Sequence, residues 1–350
     1  MNITPYLTPY KYGRPVLTGS GKPGSFDSSA VDCPFVFRHL DRFFMMYVGF
    51  DGVGYQTALA TSGDLLNWEP YGVILERNGS GNWDSKNVAG TWMMRDNELS
   101  GPATLKKWDG KYWLVYHSYP EDGYEEGAAR IGIAWSEDER LLEWHRLPEP
   151  ILTPETGADW ERGGLYKECL VEHDGTFYLF YNAKNQNTPG WVEQTGVATS
   201  NDLANWTRHA GNPVLRVDEI GWKRGFVSDP CVLRNGGEWV MFFFGYDYRK
   251  AEEGVAVSAD LLRWEAHPDP IVPVGAAGEL DETYAHKPSV VMHDGVLYHF
   301  YCAVRPSRED DPASSNNGRE FRTIAVAASR DLSRERSASS GASTNEEGPE

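Results

Sequence analysis

The chain has 350 residues and a formal net charge of −18 at pH 7, with 33 Lys and Arg against 51 Asp and Glu. Such an excess of negative charge argues against nucleic acid or an anionic membrane surface as a partner. The 13 Trp, 18 Tyr and 14 Phe, together with short apolar segments between Gly, Pro and Asp turns, are typical of an all-β protein.

The N-terminal residues and the cysteines indicate the compartment. Residues 1–6 contain neither a basic region nor an apolar run, so we expect no signal peptide, and no stretch is apolar over the length of a bilayer. The spacing of cysteine and histidine does not predict a metal site. The four cysteines all lie in strand-like apolar segments, where buried free thiols in a reducing cytoplasm are expected; they are Cys33, Cys169, Cys231 and Cys302.

The most informative pattern is a repeated turn in which a serine is followed by a short acidic stretch, a leucine and usually a tryptophan. Its copies occupy residues 62–68, 136–144, 200–206 and 258–264, and a fifth, starting at Ser329, lacks the tryptophan. Self-similarity at about 60 residues predicts a stack or ring of one repeated unit. We expect the turn itself to be structural, with its aromatic ring packed against the unit.

Taken in chain order, each unit predicts four strands. The first begins at a polar residue, and the second is aromatic and usually follows an Asp-Gly or Gly-Gly hairpin turn. The third alternates small and apolar residues, and a short fourth follows the tryptophan turn. The five first strands are expected to begin near Asp32, Ser100, Glu168, Asp229 and His286.

Only four fourth strands follow the tryptophan turns, although there are five units. Residues 14–17 match the missing strand, so the N-terminal segment is expected to supply the outer strand of the last unit. The sequence therefore predicts a five-bladed β-propeller of four-stranded antiparallel blades, closed by the N-terminal strand, as one domain over residues 1–332. Residues 333–350 contain almost no apolar side chains and predict a disordered tail.

In this architecture the first strands surround the axis and their opening residues meet at one rim. That placement would gather three carboxylates, Asp32, Glu168 and Asp229, with His286 and Lys287. Like charges at a shared centre cost stability unless function retains them. The sequence does not determine how the first strands align with one another, because Asp32 stands two residues before a proline and Asp229 stands directly before one. Either a bulge or a different side-chain direction is expected in one of these strands.

Further polar and aromatic residues are predicted at the same rim and would suit the hydroxyls and C–H faces of sugars. Loop residues Trp160 and Trp222 are instead expected to pack between blades, whereas Trp83 and Trp92 lie in a longer insertion, residues 82–99. The candidate substrate-binding residues are Asp51, Gln56, Trp83, Trp92, Ser100, His117, Asn182, Lys184, Asp247, Lys287 and Arg305.

These features resemble the five-bladed propeller glycoside hydrolases, a group that contains families 43, 32, 68 and 117. The resemblance covers about residues 14 to 332 and rests on the five units and on Asp32, Glu168 and Asp229. Family 43 would imply a base Asp in blade one, a pKa-tuning Asp in blade three and an acid Glu in blade four. Asp32 fits the first role. This chain has Glu168 in blade three, where the family has Asp, and Asp229 in blade four, where the family has Glu. The Asn-Asp-Pro-Asn and Arg-Asp-Pro phrases of the sucrose-type families are absent, and His286-Lys287-Pro288 resembles the acid histidine of family 117.

The resemblance implies a glycosidase, and we expect an inverting, exo-acting enzyme on a plant or algal oligosaccharide. Asp32 would be the general base and Glu168 the general acid, with Asp229 orienting the substrate and raising the pKa of the acid. His286 is the alternative acid, or holds an axial ion or water. No cofactor is required, although Ca²⁺ or another ion on the axis is compatible with the pattern.

Two alternatives remain open from the sequence. A glycoside phosphorylase would need a basic cluster for phosphate, which Lys184, Lys287, Arg305 and Arg322 would supply at the rim. A non-catalytic carbohydrate- or protein-binding propeller would bind without turnover. Turnover that depends on phosphate would indicate a phosphorylase and not a hydrolase. Binding without turnover would indicate the non-catalytic propeller. The oligomeric state is not indicated by the sequence.

Overall fold

The structure is a computed structural model that describes residues 1–315 and 318–332, so the predicted tail, residues 333–350, lies outside the described residues. The prediction of an all-β protein is confirmed, since the described helices are three short 3₁₀ turns, Thr4–Tyr6, Pro154–Thr156 and Asp159–Glu161. The strands are β1 (Tyr10–Lys11), β2 (Leu17–Thr18), β3 (Ala30–His39), β4 (Arg42–Phe50), β5 (Tyr55–Ser62), β6 (Glu69–Leu75), β7 (Ala89–Met93), β8 (Tyr112–Ser118), β9 (Arg130–Ser136), β10 (His145–Arg146), β11 (Gly164–His173), β12 (Thr176–Lys184), β13 (Glu193–Ser200), β14 (Thr207–Arg208), β15 (Phe226–Asn235), β16 (Glu238–Tyr246), β17 (Ala251–Ser258), β18 (Glu265–Ala266), β19 (Tyr284–His293), β20 (Val296–Pro306) and β21 (Glu320–Ala328).

The strands pair antiparallel within consecutive groups. Strands β3 to β6 form one four-stranded sheet and β7 to β10 a second. Strands β11 to β14 and β15 to β18 pair in the same way, followed by β19 to β21. Single parallel bridges, Glu193 to Phe226 and Ala251 to Tyr284, join the last three groups into one larger sheet.

The N-terminal segment completes the last group, as predicted. Leu17 pairs with Ile324 in β21, and β1 also pairs with β21 through Tyr10 and Ala328. The first strands contact one another in the order β3, β7, β11, β15 and β19, and β19 in turn contacts β3. The opening residues of distant segments are therefore brought together.

The serine-to-tryptophan phrase is a hydrogen-bonded turn, which agrees with its predicted structural role. Ser62 Oγ accepts hydrogen bonds from the backbone N–H of Asp64 and Leu65, and the Asp64 carboxylate accepts from the next two N–H groups. The indole of Trp68 donates to the Leu65 carbonyl at 3.0 Å. Residues 200–206 and 258–264 repeat this arrangement.

In three groups a loop tryptophan stacks on an aromatic ring of the second strand. Trp160 stacks on Tyr181 with the ring centroids 6.1 Å apart, and Trp222 stacks on Phe243 at 5.9 Å. A glycine of the third strand leaves room for each ring, since a Cβ at Gly196 would lie 2.7 Å from Trp160. Both tryptophans therefore pack on strands of their own group, and their predicted place between blades stays a prediction.

Trp83 packs in the same way, so its predicted place in a substrate pocket is wrong. Its ring stacks on Tyr116 at 5.5 Å, over Gly132. Trp92 is also structural: it lies in β7, is buried, and packs against Phe35 with the ring centroids 4.6 Å apart. Both belong to the apolar packing because their indoles find aromatic partners inside the fold.

The second group departs from the prediction most. Its first strand is β7, Ala89–Met93, whereas residues 98–101 form a turn closed by a hydrogen bond from Gly101 N–H to the Glu98 carbonyl. Ser100 is exposed there, and the neighbouring Leu99 bonds to Arg234 near the far end of β15. Ser100 is therefore absent from the predicted rim, because Ser-Gly-Pro favours a turn over a strand.

The four cysteines are buried and free, as predicted. Within the described ranges, no cluster of three or more His, Cys, Asp and Glu side chains has an arrangement able to hold a metal ion. In the same part of the chain, no helix has the length and apolar character required to cross a membrane.

Candidate active site

Bulges in the first strands set the direction of the axial side chains. The pairing is interrupted between Asp32 and Phe35 in β3, and in the same way in β11, β15 and β19. The first extra residue has a positive φ in each case: 52° at Cys33, 54° at Lys167, 57° at Asp229 and 66° at Lys287. A bulge of this kind redirects side chains and is common beside active sites.

The bulges show that the three predicted carboxylates are not equivalent. Asp32 precedes its bulge, Asp229 is the positive-φ residue of its bulge, and Glu168 follows the positive-φ residue of a third. The sequence left the register open and predicted a bulge or a different side-chain direction in one strand, whereas all three strands are bulged and each carboxylate has a different position relative to its bulge. Their environments differ accordingly.

A cavity of about 620 Å³ opens beside the bulges and is lined by the first, second and third strands of the third and fourth groups, by β19 and β21, and by the β8–β9 loop, residues 119–129. Its lining contains carboxyl groups of Glu125, Glu126, Glu193, Asp229 and Glu320. Basic side chains reach the same space from Lys167, Lys184, Lys287 and Arg322. The size is typical of a pocket for a small ligand.

Asp229 lies on the cavity floor with 8% of its surface exposed. One carboxyl oxygen accepts a hydrogen bond from Asn182 Nδ2 at 2.5 Å, and the Asp229 N–H donates to Asn182 Oδ1 at 2.8 Å. Among residues 1–315 and 318–332, none donates to the other oxygen, Oδ2. Burial raises the pKa of Asp229 to about 7, although Lys167 and Lys287 act in the opposite direction. Asp229 is therefore a carboxyl group that holds a proton near neutral pH.

Glu193, which the sequence prediction missed, is a second buried carboxyl group in the cavity. Its oxygens accept hydrogen bonds from Trp191 Nε1 at 2.7 Å and Ser228 Oγ at 2.9 Å. Burial raises its pKa. The available signal was its place at the start of a third strand, β13, because antiparallel pairing puts the starts of the first and third strands at the same end of a group.

Glu125, which the sequence prediction also missed, is an ionised carboxylate, in contrast to Asp229. It lies in the β8–β9 loop with φ +58°, and its carboxylate is 3.4 Å from Lys287 Nζ and 3.6 Å from Lys167 Nζ. Burial opposes ionisation, but these two ammonium groups lower the pKa of Glu125 to about 2. Its segment, an acidic loop outside the repeat pattern, has the composition of a solvated turn, so the sequence did not single it out.

Asp32 is buried behind two residues that line the cavity. Its Oδ2 accepts hydrogen bonds from Lys287 Nζ at 2.6 Å and from the Tyr124 hydroxyl at 3.0 Å, and Arg322 is 3.5 Å away. Burial opposes ionisation, but Lys287 and Arg322 hold the pKa of Asp32 well below its usual value. Asp32 is thus a permanent carboxylate that positions Lys287 and Tyr124.

Glu168 faces a separate, smaller space of about 30 Å³ that residues of the five first strands line. Thr91 Oγ1 donates to its Oε2 at 2.6 Å, and His117 Nδ1 is 3.3 Å from the same oxygen. Lys167 and Lys287 also line this space. A lining with two lysines is not the oxygen-rich ligand set that Ca²⁺ prefers, and the axial ion that the sequence allowed stays a prediction.

His286 lines the cavity as a neutral ring. Its Nδ1 is 2.9 Å from the Cys302 carbonyl and takes the proton of that hydrogen bond, while Nε2 accepts from Arg322 at 3.1 Å. Burial, with Lys287 and Arg322 nearby, holds its pKa well below the usual value. A neutral ring whose N–H is directed at a carbonyl has no proton for a leaving group, which counts against the predicted role as an alternative acid.

The other predicted binding residues divide into two sets. Lys184 and Lys287 line the cavity, while His117 and Asn182 support Glu168 and Asp229. Asp51 instead pairs with Arg77 at 2.7 Å, and the Asp247 carboxylate accepts from the N–H groups of its own turn.

Arg305 and Gln56 complete the second set. Arg305 pairs with Asp311 through both terminal nitrogens, at 2.6 and 2.9 Å, so its guanidinium is committed to that loop. Gln56 lies half-buried on β5, opposite Gly49. The predictions for Asp51, Asp247 and Arg305 are corrected, because nearby partners hold these charges away from the cavity.

An aromatic wall that the sequence did not predict forms one side of the cavity. Trp191 stacks on Phe226 with the ring centroids 5.8 Å apart, and Tyr246 meets Tyr284 at 5.9 Å. Lys184 Nζ lies 5.5 Å from the Trp191 ring centre. Aromatic faces beside paired carboxyl groups are suited to binding a sugar ring.

The strand groups and the carboxyl-lined cavity define a carbohydrate-active protein of the β-propeller type. The family model for glycosyl hydrolases family 43 matches residues 26–323. The chain therefore belongs to glycosyl hydrolase family 43, and the resemblance to that family is confirmed.

Solved structures agree with this assignment. One described as a BT0996 RGII complex is 31% identical, with a TM-score of 0.78 and coverage of 94% of both proteins. A thermostable family-43 glycoside hydrolase, 19% identical with a TM-score of 0.63 over 90% of this chain and 91% of its own, shares the fold.

A curated relative is more distant. The 1,2-beta-oligomannan phosphorylase of Thermoanaerobacter sp. (strain X514) is 27% identical over 136 residues, which are 36% of this chain and 44% of the relative. The match thus spans less than half the length of that relative.

Proposed function

We propose that the protein is an exo-acting glycoside hydrolase that cleaves a terminal sugar from an oligosaccharide bound in the 620 Å³ cavity. The observation that carries this proposal is the contrast between two carboxyl groups of that cavity: Asp229 is buried against an amide, whereas Glu125 lies beside two ammonium groups. These surroundings favour a protonated Asp229 and an ionised Glu125. Glycoside hydrolysis needs such a pair, one to protonate the leaving oxygen and one to act at the sugar carbon or on water. We also propose that the five strand groups are the blades of one ring, which the cyclic contacts of the first strands support.

Asp229 replaces Glu168 as the proposed proton donor. The Oδ2 atom of Asp229 is free to face the glycosidic oxygen, and its proton moves to that oxygen as the bond to the sugar breaks. Both oxygens of Glu193 already accept hydrogen bonds, so we place Glu193 beside the donor as a positioning residue.

Glu125 replaces Asp32 as the proposed base. Its carboxylate takes a proton from water as the water oxygen bonds to the sugar carbon, with inversion of the anomeric centre. Lys167 and Lys287 keep Glu125 ionised, while Asp32 holds Lys287 in place. The anomer first formed, observed by proton NMR, tests inversion directly.

The proposed substrate is a plant-type oligosaccharide. The similar structure described as an RGII complex supports this class, and the wall of Trp191 and Tyr246 offers faces for a sugar ring. A panel of RGII-derived fragments and of aryl arabinofuranosides, xylosides and galactosides would identify the terminal sugar.

The decisive experiment uses leaving-group dependence. Asp229→Asn should lose about 10²–10⁴-fold in kcat/KM on oligosaccharides but far less on dinitrophenyl glycosides, whose leaving group needs no proton. Glu193→Gln is the matched control. If Glu193→Gln shows this pattern and Asp229→Asn does not, the donor is Glu193. If every substrate binds but none is cleaved, the protein is a binding module.

A phosphorylase is the second candidate, favoured by the match to 1,2-beta-oligomannan phosphorylase and by the lysines of the cavity. Against it, Lys287 and Arg322 already share the Asp32 carboxylate. A phosphorylase would release a sugar phosphate and require inorganic phosphate for turnover. Undiminished cleavage in phosphate-free buffer would exclude it.

A further inference from the structure

Cys33 and Lys167 meet at an unusual distance beside the small space of about 30 Å³ that both residues line. Cys33 Sγ and Lys167 Nζ are 2.6 Å apart, and both residues are buried, with 5% and 4% of their surfaces exposed. An N–H···O hydrogen bond measures about 2.7–3.2 Å, and sulfur is larger than oxygen, so a non-covalent N–H···S contact is longer still. The separation is therefore shorter than a hydrogen bond explains.

The fold directs the two side chains at each other. Both residues are the positive-φ members of first-strand bulges, in β3 and β11. A buried ammonium group ordinarily pairs closely with a carboxylate. The carboxylate partner of Lys167, Glu125, is farther away than the sulfur, at 3.6 Å.

We propose that Cys33 and Lys167 are a modification site at which an oxidant joins sulfur and nitrogen through one oxygen atom, giving a covalent N–O–S bridge. Two single bonds of about 1.4–1.7 Å that meet at a bent oxygen place nitrogen and sulfur about 2.6 Å apart. A direct S–N bond would require a much shorter separation. The observed spacing matches the bridge.

The reaction balances with hydrogen peroxide as the oxidant. One peroxide converts the thiol to a sulfenic acid and releases one water. A second peroxide, the sulfenic acid and the neutral amine then give the N–O–S link and two waters. Sulfur and nitrogen together lose four electrons, and each peroxide accepts two. A thiol reductant reverses the process and restores the thiol and the amine.

The bridge would act on the neighbouring carboxyl groups, and this consequence rests on the proposed function. The bridged nitrogen no longer carries an ammonium charge, and Lys167 lowers the pKa of both Glu125 and Asp229. Oxidation should therefore move the pH optimum of turnover upward, and reduction should restore it. The bridge itself is measurable whether or not the protein is a hydrolase.

The test is mass spectrometry of the full chain after peroxide treatment. Burial raises the pKa of Cys33 to about 12, so the thiolate is scarce and a long incubation at alkaline pH is needed. We expect a reductant-sensitive gain of one oxygen and loss of two hydrogens, about 14 Da, in a cross-linked peptide pair containing Cys33 and Lys167.

Two variants make the result specific. Cys33→Ser should abolish the link, whereas Cys231→Ser, which removes another buried thiol, should keep it. Melting temperatures establish that both variants are folded. If peroxide produces only sulfinic or sulfonic acid at Cys33 while Lys167 stays unlinked, the proposal is wrong. A link that persists in Cys33→Ser would overturn it as well.

Discussion

At the scale of single residues, two aspartates in first strands differ in pKa because their neighbours differ. Asp32 lies 2.6 Å from Lys287 Nζ, and its pKa is held well below the usual value. Asp229 has an amide, Asn182, as its hydrogen-bond partner, and burial raises its pKa to about 7. The same side chain thus serves as a fixed charge in one strand and a proton carrier in another.

Turnover should fall as the pH rises through about 7, because the proposed donor Asp229 then loses its proton. A pH profile of kcat/KM on an oligosaccharide tests this expectation. The profile on a dinitrophenyl glycoside is the control and should lack the alkaline decline. An alkaline limb of equal size on both substrates would contradict the assignment.

The same shift links stability to pH. The folded pKa of Asp229 lies above the unfolded value, so its stabilising contribution is complete below the unfolded pKa and is lost as pH rises through about 7. Asparagine does not titrate, so Asp229→Asn should not lose stability over this pH range. The free energy of unfolding of the variant minus that of the parent should therefore increase from acidic to alkaline pH, by at most about 4 kcal/mol. Urea unfolding at several pH values measures this difference. If the difference does not change with pH, the raised pKa of Asp229 is contradicted.

Removing the Asp32 charge should destabilise the fold. Asp32→Asn removes the closest counter-charge of Lys287, which then keeps Glu125 at 3.4 Å, and leaves Arg322 with Glu320 at 3.1 Å. Because these buried cations lose part of their pairing, we expect a cost of about 3 kcal/mol in the free energy of unfolding. Asp122→Asn is the matched control, because its exposed pair with Lys86 contributes at most about 1 kcal/mol. Equal Tm values for the two variants would show that the buried pair is dispensable.

At the scale of elements, the stack of tryptophan, aromatic ring and glycine is the repeated packing device. Gly196 is the informative member, because an added Cβ would lie 2.7 Å from the Trp160 ring and 3.0 Å from Tyr181. Gly196→Ala should lower stability by about 1–3 kcal/mol, measured by urea unfolding. Gly63→Ala, where nothing lies within 4 Å, should be nearly neutral.

The sequence predicted the strands correctly where the repeat pattern is regular and incorrectly where the pattern is interrupted. Hairpin turns and the tryptophan phrase placed the strands of four groups. In the second group the turn residues around Ser100 resembled a first strand, and β7 was missed because Ala89–Met93 lies inside an insertion.

The candidate site was predictable only in part, for a related reason. First-strand openings pointed to Asp229, His286 and Lys287, all of which line the cavity. Glu125 comes from a loop with no repeat signature, and its place depends on ion pairs between distant segments. Such pairing has no local sequence pattern.

At the scale of the whole molecule, the N-terminal segment joins the last two strand groups. Leu17 extends the last sheet through Ile324, while Tyr6 is buried and accepts a hydrogen bond from Asn235 at 3.1 Å. Lys11 adds an ion pair with Asp281 at 2.7 Å. The first and last parts of the described chain therefore stabilise each other.

Deleting residues 1–19 should expose the β21 edge, lower Tm substantially and promote association, because unpaired edge strands recruit other chains. Deleting residues 1–2 is the control and should leave both properties unchanged. Differential scanning fluorimetry and size-exclusion chromatography report the two effects. A monomeric truncation with the parent Tm would show that the segment is dispensable.

The bulges of the first strands allow reactive side chains to vary without a change in the sheet. Regular pairing resumes on both sides of each bulge, so the two residues that face a single partner residue lie outside the regular ladder of the sheet. Selection can exchange an acid, a base or a thiol at these positions while leaving the surrounding scaffold intact. Descendants of one ancestor can thereby inherit the same frame and yet carry their reactive groups on different strands.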